Sequence, residues 1–293
     1  MTSPAAVATP IIDAILHPSD FSEAGDVAFA HALKAALIAK SRLTLLHASS
    51  KAAAEEWGEF PGVRETLERW GLIPPGSPKS AVPKLGIDVN KVISQNDDPV
   101  RAVLHYLSGH QTDLIVLATS QHDGRTSWLH KSVAEPIARK SGQMTLFVPA
   151  GVDGFVSLDD GSVSLTSVLI PVNDAPEPQS AVMAAARLAR QLQCPAGTFT
   201  LLHIGGGDPT AHLYRPEVPG WTWKTVARAG DVTNGILETA DETQAALLVM
   251  STSGRHGFLD ALRGSHSERV LRQANCPLLA VPEHSLAADA LRI

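Results

Sequence analysis

The chain contains an internal repeat, and this repeat constrains the fold more than any local motif. Residues 113–149 align with residues 246–282 without a gap, at a constant offset of 133 positions, and 12 of the 37 aligned pairs are identical. The identical pairs are Leu114/Leu247, Val116/Val249, Thr119/Thr252, Ser120/Ser253, Gly124/Gly257, Leu129/Leu262, Ser132/Ser265, Glu135/Glu268, Arg139/Arg272, Leu146/Leu279, Val148/Val281 and Pro149/Pro282. A match of this kind indicates that one structural unit occurs twice, in diverged copies.

Earlier segments of the two copies also correspond. Residues 14–18 parallel residues 168–171, and Leu45-Leu46-His47 parallels Leu201-Leu202-His203. A chain of 293 residues has room for two domains of ordinary size. We therefore expect a first domain at residues 1–150, a linker or β-hairpin at 151–166 and a second domain at 167–293. The hairpin is favoured because a glycine-containing turn, residues 159–162, separates two alternating segments.

Short apolar runs alternate with amphipathic segments throughout both copies. In the first copy, strands are predicted at residues 11–17, 43–48, 87–94, 114–118 and 144–148, and helices at 22–40, 63–70, 98–107 and 133–140. In the second copy, strands are predicted at residues 167–172, 198–204, 223–228, 247–251 and 278–281. Strands that alternate with helices predict an α/β fold, in which a mostly parallel sheet carries helices on both faces.

Composition and charge exclude several classes of protein. The formal net charge is -6 and no cluster of Lys and Arg occurs, so a nucleic-acid binder is not expected. We find no secretory signal and no run of 18 apolar residues, which predicts a cytoplasmic protein without a membrane segment. The two cysteines, Cys194 and Cys276, are too few for a disulfide framework and are expected to be buried, inert thiols.

A glycine-containing segment after the fourth strand of the second copy is the candidate binding motif. Gly254 and Gly257 would let the loop turn sharply and expose its amide N–H groups to an anion. Gly264 and Ser265 would then open a helix, whose N-terminus offers further free N–H groups. Open α/β sheets bind their ligands at the carboxyl ends of such strands, so this segment is a plausible phosphate site.

With this loop in view, the chain resembles the universal stress protein (UspA-type) family, in a tandem two-domain form. The resemblance rests on the glycine loop, an aspartate after the first strand, the Leu-Leu-His run and the closing residues 268–282. It implies two tandem Rossmann-like domains of the adenine nucleotide alpha hydrolase-like kind, each with a five-stranded sheet. It also implies a non-catalytic, bacterial-type stress-response protein with ATP or AMP as candidate ligand, and no metal beyond a nucleotide-bound Mg²⁺.

Each copy departs from the family pattern in a different place. In the second copy only six residues separate Gly257 from Gly264, whereas the family has nine. By resemblance the second-copy site would comprise Pro171, Asn173, Asp174, Ile204 beside the adenine, Ser253, Gly254, Gly257, Gly264 and the phosphate contact Ser265. The first copy keeps the aspartate, Asp20, but has Gln121 and Lys131 in its loop. We therefore expect at most one nucleotide site, in the second copy, and a degenerate site at Asp20.

Two other functions remain open at this point: a nucleotide-free dimerisation or scaffold protein with degenerate sites, and a slow ATP hydrolase. No Ser/His/Asp or Cys/His arrangement is readable, which disfavours catalysis. His47 and His203 are interpreted as hydrogen-bonded structural residues, Asp98 as a helix N-cap, and His122, Asp123 and His130 as surface residues rather than metal ligands. The resemblance implies that the final strands of the two copies pair with each other, and a homodimer is a further possibility.

Overall fold

The computed structural model describes residues 12–49, 57–119, 133–207, 209–252 and 266–283. Within these ranges it contains ten strands and seven α-helices. The strands are β1 (Ala14–Pro18), β2 (Arg42–Ala48), β3 (Asp88–Ser94), β4 (Leu114–Thr119), β5 (Met144–Pro149), β6 (Ser167–Val172), β7 (Gly197–Ile204), β8 (Trp221–Arg228), β9 (Leu247–Thr252) and β10 (Leu278–Pro282). The helices are α1 (Glu23–Ala39), α2 (Val63–Arg69), α3 (Pro99–Gly109), α4 (Ala134–Ser141), α5 (Gln179–Gln191), α6 (Val232–Glu242) and α7 (His266–Gln273).

All ten strands belong to one sheet, in the order β3-β2-β1-β4-β5-β10-β9-β6-β7-β8. Neighbouring strands are parallel within each copy, whereas β5 and β10 are antiparallel, with Phe147 opposite Leu278 and Leu146 opposite Leu279. The α/β prediction is confirmed, and so is the expected pairing of the two final strands. Because β5 and β10 run in opposite directions, the strands of the first copy and those of the second copy have their carboxyl ends at opposite ends of the common sheet.

Helices cover both faces of the sheet. The connections β1-α1-β2 and β3-α3-β4 move in opposite directions across the sheet, so right-handed crossovers place α1 and α3 on opposite faces. Helix α3 packs against α4, and α6 against α7. The central strand β4 is buried along its whole length, which explains its continuous apolar sequence. The outer strand β8 alternates between less and more exposed residues instead.

Polar side chains define where the first and third helices begin. Ser22 Oγ accepts a hydrogen bond from the Gly25 amide at 3.1 Å at the start of α1. Asp98 Oδ1 accepts from the amides of Val100 and Arg101, at 3.0 and 3.2 Å, and a proline follows at the first position of α3. The predicted N-cap role of Asp98 is therefore confirmed.

A segment that we call the connector, residues 150–166, joins the two copies and packs on the first. Val156 and Val163 form an antiparallel bridge, and the Ser157 amide donates to the Ser162 carbonyl at 2.9 Å. Phe155, which is 3% exposed, meets the His31 ring of α1 edge-on, with centroids 4.6 Å apart. The Trp70 indole N–H, just after α2, donates to the Leu158 carbonyl at 3.1 Å. The connector is thus attached to two helices of the first copy.

Candidate functional site

Each copy has a topological switch point, where the strand order reverses between β1 and β4 or between β6 and β9. Ligands of open α/β sheets bind beyond the carboxyl ends of the strands at such points. We call the two positions the first cleft (ends of β1, β2 and β4) and the second cleft (ends of β6, β7 and β9). Ile15 pairs with Leu114, and Val168 pairs with the repeat partner Leu247, so Asp20 and Asn173 follow their strands at equivalent positions.

Aromatic side chains of the protein itself fill the first cleft. Phe21 adopts a left-handed backbone conformation, with φ of 60°, directly after Asp20. Its ring stacks on the imidazole of His47 at the end of β2, with centroids 4.0 Å apart and an interplanar angle of 20°. Phe60, which is 4% exposed, meets the Phe21 ring edge-on at 5.3 Å. A planar ligand above His47 would have to displace this aromatic cluster.

Asp20 already takes part in the local structure of the first copy. Its Oδ1 accepts hydrogen bonds from the Ser22 amide at 3.1 Å and from Ser22 Oγ at 2.6 Å. A Cβ on Gly25 would lie only 3.1 Å from the same oxygen, so the first turn of α1 leaves little space around it. Asp20 therefore helps to hold the start of α1.

The predicted site residues of the second cleft that the structure describes are exposed or half-buried. Asn173 and Asp174, which follow β6, are both exposed, and Ile204 at the end of β7 is half-buried. Ile204 packs against α6, where a Cβ on Gly235 would lie 2.6 Å from Ile204 Cδ1, so any larger residue there would require the Ile204 side chain to shift. Pro171, in β6 opposite Leu202, is half-buried as well. The structure thus places Asn173, Asp174 and Ile204 at the carboxyl ends of the neighbouring strands β6 and β7.

A run of three glycines, residues 205–207, borders the second cleft and was not singled out from the sequence. Gly205 and Gly207 have φ angles of +133° and +91°, which residues other than glycine rarely adopt. A Cβ on Gly206 or Gly207 would meet no atom within 4 Å, so the run faces open space. The sequence contains a signal for this feature, because consecutive glycines directly after a buried strand indicate that a ligand or another backbone segment approaches closely.

The glycine loops themselves lie outside the described residues. This applies to Ser253, Gly254, Gly257, Gly264 and Ser265 in the second copy, and to Gln121, His122, Asp123, His130 and Lys131 in the first. On either side of the second-copy loop the structure agrees with the prediction. Strand β9 ends at Thr252, and helix α7 begins at His266, directly after Ser265.

The two histidines at the ends of β2 and β7 are structural, as predicted. His47 Nδ1 donates to the Ser19 carbonyl at 2.7 Å. The two ring nitrogens of His203 lie 3.3 Å from the Val172 carbonyl and 3.1 Å from the Gly206 carbonyl. Both imidazoles are buried, and each ties the end of one strand to the end of its neighbour.

Outside the clefts, the thiols are buried and the possible metal ligands are not clustered among the described residues. Cys194 and Cys276 are both buried, and desolvation raises the pKa of the Cys276 thiol to about 12. No group of three or more His, Cys, Asp or Glu side chains that could hold a metal ion occurs among the described residues. Nor does any helix in the described ranges have the length and apolar character needed to cross a membrane.

Comparison with known proteins identifies the family. The model of the universal stress protein family matches residues 12–149 and residues 210–282, which together make up more than half of the chain. The chain belongs to the universal stress protein family. One matched segment lies in each copy, so the tandem resemblance read from the sequence is confirmed. The second match begins after β7 and therefore leaves out the strand that carries Ile204.

Individual relatives agree with this assignment. A universal stress protein of Methanocaldococcus jannaschii is 46% identical over 48 residues, which span 16% of this chain and 28% of that protein. A universal stress protein of Archaeoglobus fulgidus has a similar fold, with a TM-score of 0.58 at 16% identity over 92% of this chain and 98% of the other. A functionally unknown protein of Pseudomonas aeruginosa gives a TM-score of 0.59 at 13% identity, over 97% and 96% of the two chains. At these low sequence identities, the two solved structures show only that this chain shares their fold.

Proposed function

We propose that this universal stress protein is a non-catalytic stress-response module that binds one adenine nucleotide, ATP or AMP, in its second cleft. The observation that carries the proposal is the difference between the two clefts. The first is filled by Phe21, His47 and Phe60, whereas the described residues that border the second include exposed polar and glycine residues. The function would be exerted through nucleotide-dependent changes in conformation or partner binding.

The residues around the second cleft suit the three parts of a nucleotide. The half-buried Ile204 and the backbone of residues 205–207 offer an apolar, uncrowded surface for the base. Asn173 can donate and accept hydrogen bonds, and Asp174 can accept them, which suits ribose hydroxyls. The phosphates would be held by the loop from Ser253 to Ser265 and the start of α7, where backbone N–H groups favour anions.

His203 and Ser251, two polar side chains at the described strand ends of the second cleft, are engaged in local hydrogen bonds. Both ring nitrogens of His203 lie against carbonyl oxygens, so the imidazole is engaged as a hydrogen-bond donor. Ser251 Oγ lies 2.9 Å from Ser180 Oγ and accepts from the Ala181 amide at 3.3 Å, which ties the end of β9 to α5. These contacts support binding rather than turnover, and a hydrolase ranks last among the candidates.

The experiment is a titration with labelled ATP and AMP of the wild type, Gly257→Val and the matched variant Gly124→Val. Gly124 is the repeat partner of Gly257 in the first copy, so it controls for the general cost of replacing a loop glycine. We expect saturable binding in the wild type and in Gly124→Val, and its loss in Gly257→Val. Binding that Gly257→Val leaves unchanged would overturn the site assignment.

The second candidate is a nucleotide-free scaffold, and the short spacing between Gly257 and Gly264 favours it. In that case the β5–β10 pairing would be the main role of the repeat, and any homodimer would use other surfaces. This candidate predicts no co-purifying nucleotide and no thermal shift with ATP. Recovery of a stoichiometric adenine nucleotide after denaturing the purified protein would reject it.

A further inference from the structure

A third cleft lies between the two copies, away from both switch points. We call it the inter-copy cleft: its walls are α1 and α5, its floor is the β5–β10 junction, and Phe155 and Val156 of the connector border it. Its volume is about 910 Å³, including the part that is open to solvent. The floor is apolar and consists of Met144, Leu146, Leu279 and Val281.

The two walls are built from equivalent positions of the repeat. The offset of 153 residues that relates Ile15 of β1 to Val168 of β6 also relates the lining residues of the two helices. The pairs are His31/Ala184, Lys34/Arg187, Ala35/Leu188, Ile38/Gln191 and Ala39/Leu192. Their spacing puts each set on one face of its helix. The cleft therefore lies on the pseudo-two-fold axis of the molecule, and each copy contributes one cation at the same position.

The charge of the lining is one-sided. Lys34 and Arg187 line the cleft, and no Asp or Glu occurs among the lining residues that the structure describes. Lys34 Nζ lies 6.0 Å from the centre of the Trp70 ring, which gives this cation an aromatic neighbour. Arg187 is half-buried, and within the described ranges no ion pair or hydrogen bond engages its guanidinium. Desolvation, with a further contribution from Arg190, lowers the pKa of Arg187 to about 10, so it remains a cation at neutral pH.

We propose that the inter-copy cleft binds an amphiphile with an apolar chain and one carboxylate, such as a medium-chain fatty acid. The chain would lie on the apolar floor between α1 and α5, and the carboxylate would pair with Arg187. A guanidinium matches a carboxylate with two parallel hydrogen bonds, and the anion would compensate the half-buried charge. A second copy of the protein is a poorer occupant, because a two-fold contact on this face would bring Lys34 and Arg187 close to other cations.

The test is calorimetric titration of the full chain with decanoate below its micellar range, with decyltrimethylammonium as the ligand of opposite charge. Arg187→Gln removes the proposed partner of the carboxylate. Arg190→Gln is the matched control, because Arg190 lies one turn away on α5, is exposed, and donates to the Glu217 carbonyl instead. Ala35→Phe fills the cleft from the α1 side, and circular dichroism spectra check that each variant is folded.

We expect one decanoate per chain, no saturable binding of decyltrimethylammonium, and affinity that falls about tenfold or more in Arg187→Gln. Arg190→Gln should bind as the wild type does, and Ala35→Phe should bind nothing. Equal affinity for the two amphiphiles, or unchanged affinity in Arg187→Gln, would overturn the proposal. So would a concentration-dependent dimer that Ala35→Phe dissociates, since a second copy would then occupy the cleft. Gly257→Val should leave decanoate binding unchanged, which separates this proposal from the nucleotide site.

Discussion

His17, the fourth residue of β1, predicts how the protein responds to acid. It is fully buried, and its Nδ1 lies 3.0 Å from the Val116 carbonyl. A carbonyl can only accept, so Nδ1 carries the proton of the neutral imidazole. Nε2 is buried and has no hydrogen-bond partner among the described residues. Protonation would therefore place a second N–H and a full charge in a site without an acceptor, and desolvation lowers the pKa of His17 to about 4.

The direction of the effect follows from the folded and unfolded pKa values of His17. The unfolded chain has the ordinary pKa of 6.5 and binds the proton first as the pH falls, whereas the folded chain resists until about pH 4. The contribution of neutral His17 to stability is therefore fully present above pH 6.5 and is lost progressively between pH 6.5 and 4. This difference corresponds to about 3 kcal/mol of unfolding free energy from His17 alone.

The perturbation that tests this reasoning is His17→Ile. The repeat-equivalent position in the second copy is Ile170, which is also fully buried, so isoleucine already occurs at this place in the fold. Urea unfolding followed by tryptophan fluorescence, at pH 7.5 and at pH 4.5, gives the loss of stability on acidification. In His17→Ile this loss should be smaller than in the wild type by about 2.5 kcal/mol, because pH 4.5 lies above the folded pKa of about 4. The exposed His110→Gln serves as the control and should lose as much as the wild type.

An unchanged acid loss in His17→Ile would refute the assignment. His31 is the second buried histidine with a pKa lowered to about 4 by desolvation, so part of the acid sensitivity should persist in the variant. Its Nδ1 donates to the Val27 carbonyl at 2.8 Å, and its Nε2 accepts from the Phe155 amide at 3.1 Å. Protonation of His31 would remove this acceptor and so loosen the connector.

Three further predictions concern packing and backbone. Phe155→Ala should lower the unfolding free energy by about 3–5 kcal/mol, because it removes a buried ring from the connector, whereas the exposed Tyr214→Ala should change it little in the same urea assay. Gly220→Ala should lower the unfolding free energy more than Gly71→Ala does. Both glycines have a positive φ, but only at Gly220 would the new Cβ clash with the Pro195 carbonyl oxygen. Equal losses of unfolding free energy would show that this clash is relieved. The thiols of Cys194 and Cys276 should not react with Ellman's reagent at pH 8 in the native protein and should react fully in denaturant, and rapid native reaction would contradict their burial.

The strand and helix order could be predicted because it depends on local patterns. The continuous apolar run of β4 and the proline after Asp98 indicate their elements without reference to the rest of the chain. The pairing of β5 with β10 followed from the family resemblance together with the two apolar final strands. The observed ends of the elements differ from the predicted ends by a few residues. Strand β8, for example, begins at Trp221 rather than at residue 223.

The contents of the clefts could not be predicted, because they depend on contacts between distant segments. Nothing in the Ser19-Asp20-Phe21 sequence shows that Phe21 turns into a left-handed conformation and stacks on His47. The inter-copy cleft requires that α1 and α5 face each other across the β5–β10 junction, which is a property of the assembled sheet. The altered glycine positions can thus be read from the sequence, whereas the aromatic cluster of the first cleft is revealed only by the fold.

We propose that the two copies have the same fold but that only the second binds a nucleotide in its cleft. Photolabelling with 8-azido-ATP, followed by peptide mapping, tests this claim directly. We predict incorporation of about one label per chain, confined to peptides after residue 166 and suppressed by excess ATP. Saturable, ATP-protected labelling of first-copy peptides around Asp20 and His47 would contradict it.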